Sequence, residues 1–242
     1  MYQREIIGLA ISLIYALCLI GMSELLYRKL DVPQFYTRKF VHVWAGMWII
    51  AIMMLFYRWW VGIIPFAIFT VANYLLYYFR LVKSIDQEDS TPGAAYFALA
   101  VTVVFALLWR PIGQTDDGTP IADYGPVAAA AIMVLTWGDS LAAIAGRLFG
   151  RHPYTIWGST RSVEGSVVMA VVSFAAIYLT LGLISGNVVM APFAPVLTTP
   201  QLLIAATVGA LLATVAEGVT PAGLDNLTVP FITAGALWLL VR

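Results

Sequence analysis

The chain has 242 residues, 13 basic against 13 acidic, and only 11% of them are charged, well below the roughly 25% of soluble domains. With 61% hydrophobic residues and a mean hydropathy of +0.88, it reads as an integral membrane protein, and its balanced charge implies no nucleic-acid partner. The length gives a single transmembrane domain over 1–242 with about eight (seven to eight) helices of ~20 residues and no room for a sizeable soluble domain. Cys18 is the only cysteine, which excludes an internal disulfide or a Cys-based zinc site.

The first apolar run, Ile6–Tyr27, lacks a signal-peptide cleavage pattern and is read as a retained helix. Cys18 within it is a core or lipid-facing side chain, and Glu24 pairs with Arg28 one turn on. The segment Arg38-Lys39-Phe40-Val41-His42 opens the second run, Val41–Tyr57. Basic residues at a helix end are an ordinary topology signal. His42 lies past that boundary in apolar sequence, with Gly46 one turn further, so a buried hydrogen-bonded histidine and an active-site one are equal readings.

The third and fourth runs, Trp59–Phe79 and Ala94–Trp109, carry Asn73, read as interhelical glue, and Trp59, Trp60, Tyr77, Tyr78 and Trp109, read as interfacial belts. Asp86, Glu88 and Asp89 mark a solvated loop between them, and Asp116 and Asp117 a longer loop after them.

The fifth run, Ile121–Phe149, holds Gly138-Asp139 followed by Ala142, Gly146, Arg147 and Gly150. At about 100° per residue, Asp139, Gly146 and Gly150 share a narrow arc of the helix. Small residues at four-residue spacing admit a neighbouring helix. Because Asp139 heads the stripe, they also fit a nucleotide whose phosphates carry Mg²⁺ bound to the carboxylate.

A loop, 151–158, offers Arg151, His152 and Trp157, with His152 read as a solvated loop histidine. In Arg161-Ser162-Val163-Glu164-Gly165, Ser162 is a helix cap with Glu164 in the first turn. Functionally, Arg161 is a phosphate clamp and Glu164 a metal ligand or proton acceptor. Runs at Gly165–Ile184, Leu202–Ala216 and Leu227–Val241 complete the chain. Between the last two, Gly and Pro over 216–230 break the helix beside Glu217, Asp225 and Asn226.

No alternating barrel pattern and no internal repeat is found, so the fold class is an all-α polytopic helical bundle. With eight spans, Arg28, Lys29, Arg38, Lys39, Arg80, Lys83, Arg147, Arg151 and Arg161 fall on one side and Arg4, Arg58, Arg110 and Arg242 on the other. The first side is therefore expected to be cytoplasmic and both termini non-cytoplasmic. The same choice gathers the Arg38–His42 segment, Asp139, Arg161–Glu164 and the Glu217–Asn226 segment on one face of the membrane.

Together, Arg38-Lys39-x-x-His42, Gly138-Asp139-x-x-Ala142-x-x-x-Gly146-Arg147-x-x-Gly150, Arg161-Ser162-x-Glu164-Gly165-Ser166, and Glu217 with Asp225-Asn226-x-x-x-Pro230 resemble the CTP-dependent polyprenol kinases, which include dolichol, phytol and CTP-dependent diacylglycerol kinases. These segments occur in the family's order and span roughly residues 36 to 232. The resemblance implies that Asp139, Gly146, Gly150, Arg161, Glu164 and Gly165, within a segment over 136–166, line a site for CTP and a divalent metal. This chain departs from the family in having Arg161 where Lys is usual, and Arg151 and His152 where a further Lys often stands.

The resulting expectation is a membrane-embedded lipid-alcohol kinase acting at the cytoplasmic face. Asp139 with Glu164 or Asp225 holds Mg²⁺, while Arg161 with Arg147 or Arg151 steadies the transferring phosphoryl group. Arg38, Lys39 and Asn226 are further nucleotide contacts. His42 or Glu217 accepts the proton of a prenol, polyprenol or diacylglycerol hydroxyl. A CTP:phosphatidate cytidylyltransferase-like enzyme is the alternative, disfavoured because Gly218 to Asn226 contains neither His nor Arg. A transporter ranks third, since a conduit needs polar groups near mid-bilayer.

Overall fold

The computed structural model describes residues 2–79 and 92–242, so Arg80, Lys83, Asp86, Glu88 and Asp89 lie outside the described residues. Among the described residues, eight helices account for nearly all regular structure: α1 (Tyr2–Lys29), α2 (Gln34–Leu55), α3 (Trp59–Phe79), α4 (Gly93–Leu108), α5 (Gly125–Phe149), α6 (Val163–Ile184), α7 (Thr199–Val219) and α8 (Asp225–Val241). Six are long and apolar enough to cross a membrane, and α4 and α8 are shorter apolar helices. The chain is thus an all-α polytopic membrane protein.

Local chemistry sets the boundaries. Pro33 precedes α2 and Pro92 precedes α4, where a missing backbone N–H costs nothing. Pro65 follows the turn at Ile63 that interrupts α3. The expected break over 216–230 is confined to the turn after α7, and the helix resumes at Asp225 with Pro230 inside it.

α5 is the axis of the bundle. It packs against α2, α4, α6 and α8, and Ala128, Ala129, Ala130 and Ala131 are fully buried. A column of alanines lets all neighbours approach closely, which is how helices associate where lipid is as apolar as their side chains. α1 stands at the edge, packed on α2 and α3, with Tyr15 stacked on Trp48 at 3.9 Å. Cys18 is exposed on this outer helix, consistent with a lipid-facing side chain. Trp109, expected in an interfacial belt, is instead fully buried. It sits where Gly62 and Gly125 leave room for its ring, a Cβ on either coming within 2.5 Å of it.

Halfway along α5 the ladder changes. Residues Gly125–Met133 are α-helical, Val134–Asp139 form a π turn, and Ser140–Phe149 are α-helical again. Helices crowd this turn on both sides. A Cβ on Gly46 of α2 would lie 1.9 Å from Thr136 Oγ1, and one on Gly138 would lie 2.7 Å from Ser173 Oγ of α6.

Contacts define the two ends of the bundle. At one end Arg4 donates to the Tyr57 hydroxyl, Arg58 lies 3.5 Å from Glu5, and Asp123 accepts from the backbone N–H groups of Arg110 and Gly125, each at 2.8 Å. Burial pushes the Asp123 carboxyl above its ordinary range. Arg242 covers Trp238, which meets Tyr124, so both chain ends lie there. The opposite end carries the ionic cluster described next.

One element departs from the helical expectation. Residues 151–158 do not form a plain loop: Pro153–Ile156 (β1) and Ser159–Ser162 (β2) pair as an antiparallel hairpin. Trp157 and Gly158 make its two-residue turn with φ of 50° and 77°, the positive values that favour tight hairpins. Because α2 touches α5 at backbone distance, Gly46→Val should destabilise the protein by about 1–3 kcal/mol through overpacking, read as a lowered thermal midpoint in detergent.

Candidate active site

At the end opposite the chain termini, α2, α5, the hairpin, α7 and α8 surround a cavity of about 870 Å³. The cations Arg38, Lys39, Arg147 and Arg161 and the carboxylates Asp139, Glu217 and Asp225 line it. Ionised groups are costly at membrane depth unless paired or wetted, and here Lys39, Arg161 and the three carboxylates are paired across elements far apart in sequence.

Lys39 Nζ lies 2.6 Å from Asp139 Oδ2, tying α2 to α5. Both side chains are largely buried, with 19% and 16% exposure. His42, one turn beyond Arg38, places Nε2 at 3.0 Å from the Leu135 carbonyl oxygen and 3.9 Å from the same Asp139 oxygen. A carbonyl only accepts, so Nε2 carries the hydrogen and the lone pair of the neutral ring sits on Nδ1. Leu135 lies within the π turn, where the helical ladder departs from its regular spacing. Phe97 of α4 packs on the imidazole, 4.7 Å between ring centres.

Arg161, at the end of β2, is a second ionic hub. Its Nε donates to Glu217 at the end of α7, and its Nη2 donates to Asp225 Oδ2 at the start of α8, 3.1 Å away. Asp225 Oδ1 accepts from the backbone N–H groups of Gly223 at 3.1 Å and Asn226 at 2.9 Å. The hairpin is latched on both sides: the Tyr154 and Ser166 hydroxyls meet at 2.7 Å, and Ser159 Oγ accepts from the Ala222 N–H at 2.9 Å. Arg147 is steadied by the Phe35 ring, 4.6 Å from its guanidinium carbon. Arg38 makes no hydrogen bond or ion pair with any described residue, leaving its guanidinium directed to the cavity it lines.

The cavity therefore gathers Arg38, Lys39, His42, Asp139, Gly146, Arg147, Gly150, Arg161, Gly165, Glu217, Asp225 and Asn226. Two expected residues are not on its wall. Glu164 bonds His152 Nδ1 at 2.6 Å and accepts from the His152 backbone N–H at 3.3 Å, while Arg151 is exposed to the side. Ser162 does cap α6, accepting from the Gly165 N–H at 3.1 Å. The cap turns Glu164 outward, so the metal-ligand expectation for it departs from the geometry.

The small-residue stripe serves packing first. A Cβ on Gly146 would come within 3.0 Å of Ser162 Oγ, and one on Gly165 within 3.0 Å of the Ala142 carbonyl, so much of the clearance is taken by the start of α6. The cavity also reaches between α1, α2, α3 and α4, where Ile20, Val41, Ala45, Leu76 and Phe97 give it an apolar arm. Asn73 and Tyr77 stand in that arm; neither was expected in a site. Their i, i+4 spacing toward one face was the available signal.

A divalent cation fits this donor set in one way. Among the described residues no group of three or more His, Cys, Asp or Glu side chains forms a cage. The hard oxygens of Asp139 and Asp225 suit Mg²⁺ held by one or two carboxylates and completed by substrate phosphates.

Two curated proteins resemble the chain along most of its length. It is 31% identical over 233 residues to a phytol kinase of Synechocystis, covering 96% of this chain and 90% of that protein. It is 26% identical over 244 residues to a probable chloroplastic phytol kinase of Triticum aestivum, covering 93% and 74%. No family profile matches the chain, and no solved structure is significantly similar to it. Identity at this level across nearly the whole of both chains places the protein in the polyprenol kinase family to which phytol kinase belongs.

Proposed function

We propose that the protein is a lipid-alcohol kinase that transfers the γ-phosphate of CTP to the hydroxyl of a prenol such as phytol at the cytoplasmic face of its membrane. The observation that carries this reading is one cavity with a charged basin on one side and an apolar arm between helices on the other. Such a shape suits a reaction joining a soluble triphosphate to an alcohol dissolved in the bilayer. The excess of basic residues at the cavity end supports the cytoplasmic orientation.

Phosphoryl transfer asks the protein for positioning and charge neutralisation more than for covalent chemistry. Asp139 and Asp225 would hold Mg²⁺, which when bound neutralises the phosphates. A metal–triphosphate matches both halves of the ionic pattern, its cation meeting the carboxylates and its phosphate oxygens meeting Lys39 and Arg161. Arg38 and Arg147 add positive charge along the same wall, and Asn226 supplies a carboxamide. The acceptor oxygen forms its bond to the γ-phosphorus as the bond to the bridging oxygen breaks, that electron pair leaving on the nucleoside diphosphate. The alcohol proton passes to Nδ1 of His42 or to Glu217. CTP itself is supported by the resemblance of the Asp139–Gly150 and Arg161–Gly165 segments to CTP-dependent enzymes.

Incubating purified protein with γ-labelled CTP or ATP and a panel of phytol, a polyprenol and diacylglycerol should place label on the alcohol and release CDP from CTP. Pyrophosphate with a CDP-lipid would instead identify a cytidylyltransferase. Asp139→Asn should lower kcat by about 10³ or more while the protein stays folded by thermal unfolding, as expected for loss of a charge that positions the metal. Arg161→Met should cost about 3–5 kcal/mol of stability by leaving Glu217 and Asp225 uncompensated. Adding Glu217→Gln and Asp225→Asn should recover most of the thermal midpoint without recovering activity.

A further inference from the structure

The apolar arm contains two polar side chains that bond no described residue. Asn73 and Tyr77 lie in α3, where the Thr70 hydroxyl is satisfied by the Phe66 carbonyl, and both line the cavity with Leu76. These positions form one face of the helix and are half-buried, whereas Tyr74, Leu75 and Tyr78 on the other side are 52%, 47% and 68% exposed toward the surrounding lipid. Asn73 makes no hydrogen bond to any described residue, and neither does the Tyr77 hydroxyl. The expected role of Asn73 as interhelical glue therefore finds no partner among the described residues.

An unpaired carboxamide inside an apolar span is unfavourable unless something that arrives there bonds it. Asn73 sits six residues before Phe79 at the end of the helix, about 9 Å along its axis at the α-helical rise. An alcohol sliding into the arm from the bilayer brings one O–H donor and two lone pairs to that depth. A carboxamide offers N–H donors and a carbonyl acceptor, the complement of a hydroxyl.

We propose that Asn73, supported by Tyr77 one turn on, is the side chain that receives the acceptor alcohol and orients its oxygen toward the charged basin. The assignment rests on the kinase reading and adds the contact on the lipid side. Asn73 Nδ2 donates to one lone pair of the alcohol oxygen, leaving the other for attack on the γ-phosphorus and the O–H free to release its proton to His42 or Glu217. Asn73 neither gains nor loses a proton in the step. A lipid with no oxygen at that depth leaves the carboxamide unbonded, so a wholly apolar chain is disfavoured there.

The test uses the full chain in nanodiscs with phytol as acceptor and saturating CTP, comparing wild type, Asn73→Leu and Tyr77→Phe. Leu keeps the branching of Asn at Cγ and removes its hydrogen bonds. With Asn73→Leu, kcat/KM for phytol should fall by about tenfold or more, the worth of one lost substrate hydrogen bond, with KM for CTP within about twofold of wild type. The thermal midpoint should hold or rise, since an apolar side chain replaces an unpaired amide in lipid. Tyr77→Phe should show the same pattern with a smaller loss. Wild-type turnover with an unchanged kcat/KM for phytol in Asn73→Leu overturns the assignment and leaves the kinase reading standing. A fall accompanied by a lower midpoint and an equal rise in KM for CTP marks a structural role and also overturns it. Wild-type protein that leaves phytol unphosphorylated overturns the prenol kinase reading and this assignment together.

Discussion

The ion pair between Lys39 and Asp139 is the constraint around which the rest of the site end is arranged. A carboxylate in the most buried helix of a membrane bundle needs a cation within hydrogen-bond reach, and at 2.6 Å the Lys39 ammonium supplies it from α2. That requirement brings α2 against α5 so closely that Gly46 has no room for a side chain beside Thr136. It also carries His42 to the Leu135 carbonyl, fixing which ring nitrogen bears hydrogen. A single electrostatic demand thus sets a helix contact, a glycine and a tautomer.

The second hub follows the same logic with different geometry. Arg161 is planar and forked, so one guanidinium serves Glu217 and Asp225 from separate helices. A lysine has the charge without the fork and lacks the geometry for a two-carboxylate socket. The hairpin supplies the rigidity this needs, since β2 delivers Arg161 while Ser159 and Tyr154 fasten the strands to the turn after α7 and to α6.

Much of this was legible in the sequence, for physical reasons. Hydrocarbon thickness fixes helix length, so seven of the eight runs were readable from hydropathy to within about four residues, whereas α2 starts seven residues before its apolar run, at Gln34, because the polar and basic residues before Val41 are already helical. Charges in apolar sequence are expensive, so Lys39, Asp139, Arg161, Glu217 and Asp225 stood out and gather at one cavity. Side-chain direction was less legible. Glu164 lies next to a cap, and the turn of α6 aims it at His152 rather than at the cavity. The hairpin was hidden because its only local mark is the Trp157-Gly158 pair, and Trp rarely takes a positive φ. Asn73 carries no charge, and a polar residue in a span looks the same in sequence whether its partner is a helix or a ligand.

The π turn in α5 separates two phasing problems that one continuous helix would have to solve together. The half before it presents small residues all round to a crowded core, and the half after it must aim Ala142 and Gly146 at α6. A π turn amounts to one surplus residue in an α-helix, so it offsets the azimuth of everything downstream by about 100°. Core and cavity wall accordingly face different neighbours from within α5, each at the azimuth its own contacts require.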